Sequence, residues 1–451
     1  MSAPPLFAVV GLPVASSASP ELWRAALAAT GIRAHYTRLM ADSAPEALEL
    51  AHQLQIAGLN VTTPFKETLA QLTTTLHEPA ATLGAVNTIC RGAETFEGYN
   101  TDPEGVQHAL RAAGAAVRGR MAVVVGAGGA ARAAVVALAA EEAGEIVVSA
   151  RRLERAEAVA TLGGARPAPW EALAEMIERA AVVVVCLPPT AAPPKEVRFH
   201  PSQTVIDANY GRAPWFARAA AASARAHDGG AWLVAQAQAS LALLVARTIP
   251  PRAPRALGAE VAGAMQRRMD AWATDGAARL WQRPIALTGM MGVGKTTIGR
   301  ALAAVMGREF IDTDALVEQT TGLSIATLLA GDAQEFRRHE AAAVARALNP
   351  GEGGGKVVAL GGGALMDREN AARVQDKAAC IWLWAPLEVC LRRTTANPRP
   401  LLPPADPTEG ARRLDERRAG YAATAELIVN AAASGGPEAI AHRIARELPR
   451  C

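Results

Sequence analysis

The segment LTGMMGVGKTT, residues 287–297, constrains the fold of this chain more than any other stretch of its sequence. Its spacing, Gly-x-x-x-x-Gly-Lys-Thr, is typical of a phosphate-binding loop, in which backbone N–H groups surround a phosphate chain. Such a loop follows the first strand of a nucleotide-binding domain. It therefore predicts a domain that begins near residue 284 of a 451-residue chain, and the longer part before it needs a different explanation.

The composition limits what the chain can bind. At 451 residues it is longer than one hydrophobic core usually organises, so two or three domains are expected. Lysine and arginine total 46 against 43 aspartate and glutamate, which predicts small-molecule partners and neither nucleic acid nor a membrane surface. The apolar runs are shorter than the roughly 20 residues of a membrane span. The five cysteines are scattered, which favours a reducing cytoplasm.

Short Val- and Ile-rich runs alternate with Ala-rich helical stretches along the chain, and this alternation predicts an α/β fold. Runs such as MAVVVGAG, AAVVVVCLP and KVVALGGG are continuous in hydrophobicity, as in parallel strands covered on both faces. A proline break, a helical stretch and the sequence TDGA precede the phosphate-binding loop. They predict a linker at residues 275–283.

The residues around the phosphate-binding loop are typical of phosphoryl transfer. Lys295 provides a charge for the outer phosphates, and Thr296 provides a hydroxyl for Mg²⁺. Asp312 and Asp314 alternate at the end of a strand, so one carboxylate can serve Mg²⁺ and the other a substrate hydroxyl. A helix N-cap would explain only one of them. The predicted nucleotide contacts are Gly289, Gly292, Val293, Gly294, Lys295, Thr296 and Thr297.

Three features follow these aspartates. Arg337 precedes Glu340 by three residues on a predicted helix, a spacing that a surface ion pair would also explain. Three glycines follow the next strand directly, where a tight turn or a close ligand would require them. They are Gly361, Gly362 and Gly363. The basic stretch RRTTANPRPLL is either a lid over the phosphates or a solvated loop.

In order and spacing these motifs resemble those of shikimate kinase over nearly all of residues 284–451. The resemblance implies that Asp312 positions Mg²⁺ and that Asp314 accepts the proton of the substrate hydroxyl. It implies a carboxylate-bearing substrate, which suits the bidentate geometry of arginine. The resemblance further implies that Arg337, Arg417 and the glycine triplet contact the substrate. It also implies that Arg392 and Arg399 contact the nucleotide.

A second glycine-rich loop, in the first part of the chain, is of a different kind. MAVVVGAGGAARAAVVAL combines a strand, Gly-x-Gly-x-x-Ala and a helix, which predicts a Rossmann dinucleotide site. The next strand ends in Arg151 and Arg152, which favours the 2′-phosphate of NADP, although solvated arginines at a helix start are an alternative. The predicted cofactor contacts are Gly126, Gly128, Gly129, Ala130, Ala131, Arg151 and Arg152.

Lys66 is the candidate proton carrier for hydride transfer, because lysine is rare in this arginine-rich chain. It is one of five lysines and lies in the polar segment GLNVTTPFKE. The polar segments GAVNTI and GYNTDPEG follow it and contribute Asn87 and Asp102. Each segment alone is also typical of a turn or a helix N-cap.

Together the segments GLPVASSASP, GLNVTTPFKE, GAVNTI, GYNTD, GAGGAAR, ARRLERA and WLVAQAQAS resemble shikimate dehydrogenase over about residues 6–270. The resemblance implies that Lys66 and Asp102 are a catalytic pair that relays a proton beside the substrate alcohol. The implied substrate contacts are Ser17, Ser19, Asn60, Thr62, Asn87, Tyr210 and Gln236. The sequence departs from the family pattern at Ser16, Trp23, Ala150 and Leu187.

The sequence thus predicts an α/β substrate-binding domain at residues 1–102, completed by helices at about 238–274, a Rossmann NADP-binding domain at 103–237 and a P-loop kinase domain at 284–451. The resemblances imply NADPH-dependent reduction of 3-dehydroshikimate, followed by phosphorylation of shikimate with ATP and Mg²⁺. Two alternatives remain open. One is a kinase with a non-catalytic, ligand-sensing module, and the other is a quinate or other polyol dehydrogenase fused to a small-molecule kinase.

Overall fold

The computed structural model describes residues 3–92, 95–211, 213–249, 258–273, 276–349, 355–395 and 407–449. Strands and helices alternate through them, and the predicted α/β class is confirmed. The chain forms two compact units. Unit one comprises Met1–Pro20, Arg33–Ile56 and Asp275–Cys451, and unit two comprises Glu21–Ile32 and Ala57–Thr274. The predicted domains divide the chain differently, since they place residues 1–56 with residues 57–102 in one substrate-binding domain, and those bounds stay a prediction.

The strands are β1 (Leu6–Gly11), β2 (His35–Met40), β3 (Gly58–Val61), β4 (Thr75–Leu76), β5 (Thr88–Arg91), β6 (Phe96–Tyr99), β7 (Met121–Val125), β8 (Glu145–Ser149), β9 (Arg166–Ala168), β10 (Val182–Val185), β11 (Thr204–Asp207), β12 (Arg225–His227), β13 (Ile285–Thr288), β14 (Glu309–Asp312), β15 (Lys356–Ala359), β16 (Ala379–Trp384) and β17 (Leu427–Asn430). The helices are α1 (Ser19–Thr30), α2 (Ala44–Gln53), α3 (Lys66–Leu72), α4 (Ala80–Leu83), α5 (Asp102–Ala112), α6 (Gly129–Ala140), α7 (Leu153–Ala160), α8 (Leu173–Arg179), α9 (Pro214–Ala221), α10 (Gly230–Thr248), α11 (Ala259–Ala273), α12 (Gly276–Gln282), α13 (Lys295–Met306), α14 (Thr313–Thr321), α15 (Ile325–Ala330), α16 (Ala333–Ala347), α17 (Arg368–Lys377), α18 (Leu387–Thr395), α19 (Pro407–Thr424) and α20 (Gly436–Glu447).

Unit one is built on parallel strands in the order β14-β15-β13-β16-β17-β2-β1. The phosphate-binding loop follows β13, whose four residues are all buried, as its continuous hydrophobicity predicts. Beyond β17 the sheet continues into β2, with Leu427 opposite Arg38 and Ile428 opposite Leu39. The first two strands of the chain therefore extend the sheet that carries the phosphate-binding loop.

The segment predicted as a linker, residues 275–283, contains helix α12 of unit one. Leu280 and Trp281 of this helix are buried. Apolar side chains of that size stabilise a structure when they leave water, so the segment packs as part of the unit's core. The linker bounds stay a prediction, and within them the structure has helix α12 with these two buried side chains.

Unit two contains a six-stranded parallel sheet in the order β12-β11-β10-β7-β8-β9. The strands run outward in both directions from β7 and β10, which is the doubly wound Rossmann order. Ligands of such sheets bind beyond the carboxyl ends of the strands at the point where the order reverses. The predicted dinucleotide loop follows β7 and lies at this point.

The other strands of unit two lie in the order β3-β5-β6-β4. Helix α10 packs closely against α5, because Gly105 of α5 leaves room for the Trp232 ring: an added Cβ would lie 2.6 Å from Trp232 Cδ1. This contact fixes α10, whose inner face carries the buried residues Gln236 and Ser240. Among the described residues, no helix is both long and apolar enough to cross a bilayer.

Gly105→Ala is expected to destabilise unit two by on the order of 1–3 kcal/mol relative to Gly263→Ala, because the new methyl group overpacks the α5–α10 contact. Gly263 is the matched control, since it also lies in a helix and an added Cβ there meets nothing closer than the Arg267 guanidinium at 3.4 Å. Denaturant unfolding of the two variants measures the difference. Equal midpoints would show that Gly105 has no packing role.

Candidate active sites

The loop between β13 and α13 has the geometry of a phosphate cradle. Gly289, Gly292 and Gly294 have φ angles of 136°, 79° and 106°, in the left-handed region that glycine adopts at little cost. A Cβ at Gly289 would lie 2.2 Å from the Leu383 carbonyl oxygen, and one at Gly292 would lie 2.3 Å from that of Cys390. Helix α13 begins directly after the loop, so its positive N-terminal end is available to an anion.

Thr296 and Asp312 lie together beside this loop. Thr296 Oγ1 donates to Asp312 Oδ2 at 2.7 Å, while Asp312 Oδ1 accepts from the Asp314 N–H and so caps helix α14. Lys295 Nζ donates a hydrogen bond to the Gly289 carbonyl oxygen at 2.9 Å. A hydroxyl beside a carboxylate fits Mg²⁺, which in phosphoryl-transfer sites takes one or two protein oxygens and completes its shell with phosphates and water.

The remaining residues of the predicted nucleotide site differ in their exposure to solvent. Val293 is buried, whereas Thr297 and Arg392 are exposed. The neighbouring Arg393, which sequence reasoning did not single out, donates to the Val293 carbonyl at 3.1 Å and so braces the loop. Only its place in the Arg-Arg pair of the basic stretch hinted at such a contact. Arg399 lies outside the described residues.

The glycine triplet follows β15 and lies against the side chains predicted to bind the phosphate acceptor. A Cβ at Gly361 would meet Asp314 Oδ1 at 2.7 Å and Glu340 Oε1 at 2.8 Å. The backbone at Gly361 therefore lies so close to two carboxylates that only glycine, which has no Cβ, fits there. Glu340 is almost fully buried, and burial raises the pKa of its carboxyl while Arg337 opposes the rise.

The other two glycines face the predicted arginines. A Cβ at Gly362 would lie 3.1 Å from Arg417 Nη1, and one at Gly363 would lie 3.2 Å from Arg337 Nη1. Arg337 forms an ion pair with Glu340 and keeps 44% of its side chain exposed. The structure thus brings Asp314, both arginines and the glycine triplet together. Glu340 also lies in this cluster, although the sequence indicated it only as a partner of Arg337 in an ion pair.

Arg417 is the strongest sign of an anionic ligand in unit one. It is 7% exposed, yet its Nη1 has no hydrogen-bond acceptor among the residues that the structure describes. A buried guanidinium nitrogen left unpaired is unfavourable, and a ligand carboxylate would satisfy it. Tyr421 lies nearby and donates to the Gly362 carbonyl at 2.6 Å, and burial raises the pKa of its phenol to about 12.

In unit two, Lys66 and Asp102 form an ion pair in which both side chains are largely buried. Lys66 opens helix α3 and Asp102 opens α5, so the pair joins two helix N-termini. Asn87 Nδ2 lies 3.2 Å from Asp102 Oδ1 and 3.1 Å from Gln236 Oε1. Three polar segments that are far apart in sequence therefore meet at one place, with α10 supplying the glutamine.

Asn60 lies beside this cluster and donates to Ser240 Oγ at 2.6 Å and to Thr88 Oγ1 at 3.2 Å. Sequence reasoning missed Ser240 and Thr88, although Ser240 lies one helical turn after Gln236 and Thr88 directly follows Asn87. The fully hydrogen-bonded arrangement is rigid, as buried polar networks are when every group is satisfied. Thr62 and Tyr210, also predicted to contact substrate, are half-buried.

The dinucleotide loop lies directly against the lysine. A Cβ at Gly129 would lie 3.1 Å from Lys66 Cδ, so the lysine stem packs on the first turn of α6. Gly128 caps that helix, and an added Cβ there would meet nothing within 4 Å, which leaves open space at the helix N-terminus. That space fits a pyrophosphate. The adjoining residues of the predicted loop are Gly126, with φ 117°, and Ala130 and Ala131 in the first turn of α6.

Arg151 and Arg152 are exposed just after β8, the strand next to β7. The Gly126 N–H donates to the Ser149 carbonyl at 2.8 Å, so these arginines leave the sheet beside the dinucleotide loop. Leu187, at a departure from the family pattern, follows β10 and offers its carbonyl to Asn209 Nδ2 at 2.9 Å. The predicted contacts Ser17 and Ser19 lie in unit one, where their hydroxyl oxygens are 3.2 Å apart.

These two sites define the class of protein. A Rossmann loop beside a lysine–carboxylate pair belongs to a dinucleotide-dependent oxidoreductase, and a phosphate-binding loop beside a Thr–Asp pair belongs to a phosphotransferase. Family models match both parts: residues 9–89 match the shikimate dehydrogenase substrate binding domain, residues 108–195 match shikimate / quinate 5-dehydrogenase, and residues 291–449 match shikimate kinase.

Relatives agree with these matches. A shikimate dehydrogenase (NADP(+)) of Anaeromyxobacter sp. (strain K) is 40% identical over 258 residues, which are 54% of this chain and 92% of the relative. A shikimate kinase of Nitrobacter winogradskyi is 43% identical over 154 residues, which are 34% of this chain and 71% of the relative. A crystal structure of shikimate dehydrogenase from Aquifex aeolicus aligns with a TM-score of 0.52 at 26% identity, over 59% of this chain and 97% of that one. The chain belongs to the shikimate dehydrogenase family in its first part and to the shikimate kinase family in its last part.

Gly361→Ala is expected to lower the ATP-dependent activity of the kinase part by at least roughly 10²-fold, because the new methyl group displaces the Asp314 and Glu340 carboxylates. Gly331→Ala is the control, since a Cβ there meets nothing closer than 3.7 Å. Initial rates of ADP release measure both variants. Full activity in Gly361→Ala would show that the triplet does not shape the site.

Proposed function

We propose that this chain catalyses two consecutive reactions: the reduction of 3-dehydroshikimate to shikimate with NADPH, and the phosphorylation of shikimate at its 3-hydroxyl with ATP and Mg²⁺. The observation that carries the proposal is the Lys66–Asp102 ion pair, which lies against the dinucleotide loop of a chain that also holds a phosphate-binding loop. The product of the first reaction is the substrate of the second.

The reduction needs one hydride and one proton. Bound NADPH supplies the hydride to the carbonyl carbon, and negative charge develops on the carbonyl oxygen. The Lys66 ammonium donates its proton to that oxygen, which gives the alcohol, and it regains a proton from solvent. Asp102 holds the ammonium group in place through their ion pair, and Asn87 holds the second oxygen of Asp102. The polar network around Asn60 and Gln236 offers amide groups to the hydroxyls of the ring.

The two arginines after β8 support NADP as the cofactor. A guanidinium group facing a 2′-phosphate makes charge-assisted hydrogen bonds that a ribose hydroxyl cannot replace. Both side chains are exposed beside the dinucleotide loop, so Arg151 and Arg152 are accessible to that phosphate.

The phosphorylation uses the groups around the phosphate-binding loop. Bound ATP would supply the phosphoryl group, and Thr296 and Asp312 would hold an Mg²⁺ ion that offsets the charge of its phosphates. Asp314 accepts the proton of the shikimate 3-hydroxyl as its oxygen bonds to phosphorus and ADP leaves. Lys295 stabilises the charge on the phosphates. Arg417 and Arg337 bind the substrate carboxylate, which pairs the buried Arg417 Nη1.

The alternative of a non-catalytic sensing module is less well supported than catalysis. A binding module has no need for a lysine held by a buried carboxylate against the dinucleotide loop, yet Lys66 and Asp102 are both present and paired.

A reducing cytoplasm suits the proposed enzyme, because the described cysteines Cys90, Cys186, Cys380 and Cys390 are free thiols.

Lys66→Ala and Lys295→Ala are expected to separate the two activities in the full chain. Lys66→Ala should lower shikimate-dependent NADP reduction by roughly 10²–10⁴-fold, the scale of general acid–base catalysis, and leave phosphorylation of shikimate intact. Lys295→Ala should abolish phosphorylation and leave NADP reduction intact, because only the phosphate site loses a charge. Each variant is the folding control for the other.

Three outcomes would contradict the proposal. Unchanged NADP reduction in Lys66→Ala would favour the sensing module, and loss of both activities in a folded variant would rule out two separate sites. Wild-type protein that oxidises quinate in preference to shikimate would favour the polyol dehydrogenase alternative.

A further inference from the structure

The first glycine of the glycine triplet in unit one is held by the hydroxyl of Thr313. Thr313 Oγ1 accepts from the Gly361 N–H at 2.9 Å and donates to the Ala359 carbonyl at 3.2 Å. The threonine is 1% exposed, so both hydrogen bonds are shielded from water. Because Thr313 lies between Asp312 and Asp314, the stretch of chain that carries both aspartates of the kinase site also fixes the triplet.

Tyr421 of α19 holds the middle glycine of the triplet. Its hydroxyl donates to the Gly362 carbonyl at 2.6 Å, and its ring packs against Trp382 with the ring centroids 5.7 Å apart. Burial raises the pKa of its phenol to about 12, so the hydroxyl keeps the proton that it donates at neutral pH. Arg417 lies one helical turn before Tyr421 and so on the same face of α19. One helix therefore provides the buried guanidinium and the group that fixes the glycine beside it.

The position of the triplet sets the geometry of the acceptor site. A Cβ at Gly361 would lie 2.7 Å from Asp314 Oδ1. A Cβ at Gly362 would lie 3.1 Å from Arg417 Nη1 and 3.7 Å from the carbonyl oxygen of Gly289 in the phosphate-binding loop. The triplet thus lies between the proposed proton acceptor, the carboxylate-binding arginine and the phosphate cradle. In such a site a displacement of about 1 Å can lower the rate on the order of 10²-fold.

Helix capping does not account for the Thr313 hydroxyl. The N-cap of α14 is Asp312, whose Oδ1 accepts from the N–H groups of Asp314 and Ala315. Both hydrogen bonds of the Thr313 hydroxyl cross instead to the chain at the end of β15. Valine has nearly the same shape but no hydroxyl, so it would leave the buried Gly361 N–H without this acceptor, which is unfavourable.

We propose that Thr313 and Tyr421 are positioning residues for the kinase reaction, whose hydroxyls together fix the glycine triplet where the phosphate acceptor binds. The inference rests on the proposed function, because the transfer of a phosphoryl group to shikimate is itself proposed. Thr313 acts beside Asp314, the proton acceptor, and so affects mainly kcat. Tyr421 acts beside Arg417, which binds the substrate carboxylate, and so affects mainly the KM for shikimate.

The first test compares Thr313→Val, Thr313→Ser and Thr320→Val in the full chain, by initial rates of ADP release at varied shikimate and ATP. Thr313→Val is expected to lower kcat by roughly tenfold or more, the effect of leaving a buried N–H without its acceptor. Thr313→Ser keeps the hydroxyl and should retain most of kcat. Thr320 is the matched control, since it is an exposed threonine of the same helix whose hydroxyl donates to the Leu316 carbonyl of that helix.

The second test uses Tyr421→Phe, which removes the hydroxyl and keeps the ring that packs on Trp382. It is expected to raise the KM for shikimate by roughly tenfold, with a smaller change in kcat. The KM for ATP should stay within about twofold, because the phosphate-binding loop keeps its own contacts. Tyr36→Phe is the control, since it removes the hydroxyl of another buried tyrosine of unit one and should leave both kinase constants unchanged.

The outcomes distinguish the inference from the function on which it rests. A wild-type chain that does not phosphorylate shikimate would overturn both. With that activity present, an unchanged kcat in Thr313→Val or an unchanged KM for shikimate in Tyr421→Phe would overturn the inference alone. Equal losses in Thr313→Val and Thr313→Ser would do the same, because the hydroxyl would then not be responsible.

A variant that fails to fold does not leave the inference untested. If Thr313→Val is unfolded, Tyr421→Phe decides, because it keeps the buried ring. A raised KM for shikimate with an unchanged KM for ATP in that variant supports the positioning role, and a normal KM for shikimate overturns it.

Discussion

The parallel pairing of β17 with β2 is the interaction on which unit one depends. It places β2 and β1 beside β17 in the sheet that carries the phosphate-binding loop. An uncovered strand edge exposes unpaired N–H and C=O groups and invites association with other chains. Here β2 pairs with β17 and so covers that edge of β17. The Thr37 hydroxyl adds a hydrogen bond to the Ala425 carbonyl at 2.9 Å. Residues from the two ends of the chain thus stabilise each other.

This pairing brings a buried charge with it. Arg38 is fully buried, and such a charge is tolerated only when it is paired and its donors are satisfied. Glu426 and the Ser17 carbonyl meet that requirement together. The same guanidinium therefore joins Glu426, which precedes β17, to the backbone of Ser17, and removal of the Glu426 carboxylate would leave its charge uncompensated.

Local motifs made much of the chemistry predictable from sequence. The phosphate-binding loop and the Rossmann loop are specified by glycines at fixed spacing, and the structure gives Gly289 and Gly126 the positive φ angles that explain them. The meeting of Lys66 with Asp102 followed from family resemblance and not from spacing. The hydrogen bond from the Val14 N–H to the Glu447 carboxylate could not be predicted, because it spans 433 residues and nothing in the sequence near either position indicates it. The membership of β2 in unit one could not be predicted for the same reason, because it depends on a strand pairing between residues distant in sequence.

The proposed function combines two reactions in one chain, the reduction of 3-dehydroshikimate and the phosphorylation of the product. The most direct test incubates the purified full chain with 3-dehydroshikimate, NADPH, ATP and Mg²⁺, and follows NADPH absorbance while mass spectrometry identifies the product. We expect shikimate 3-phosphate to form in an amount equal to the NADPH oxidised. Shikimate that accumulates without phosphorylation, or NADPH that is not consumed while added shikimate is still phosphorylated, would contradict it.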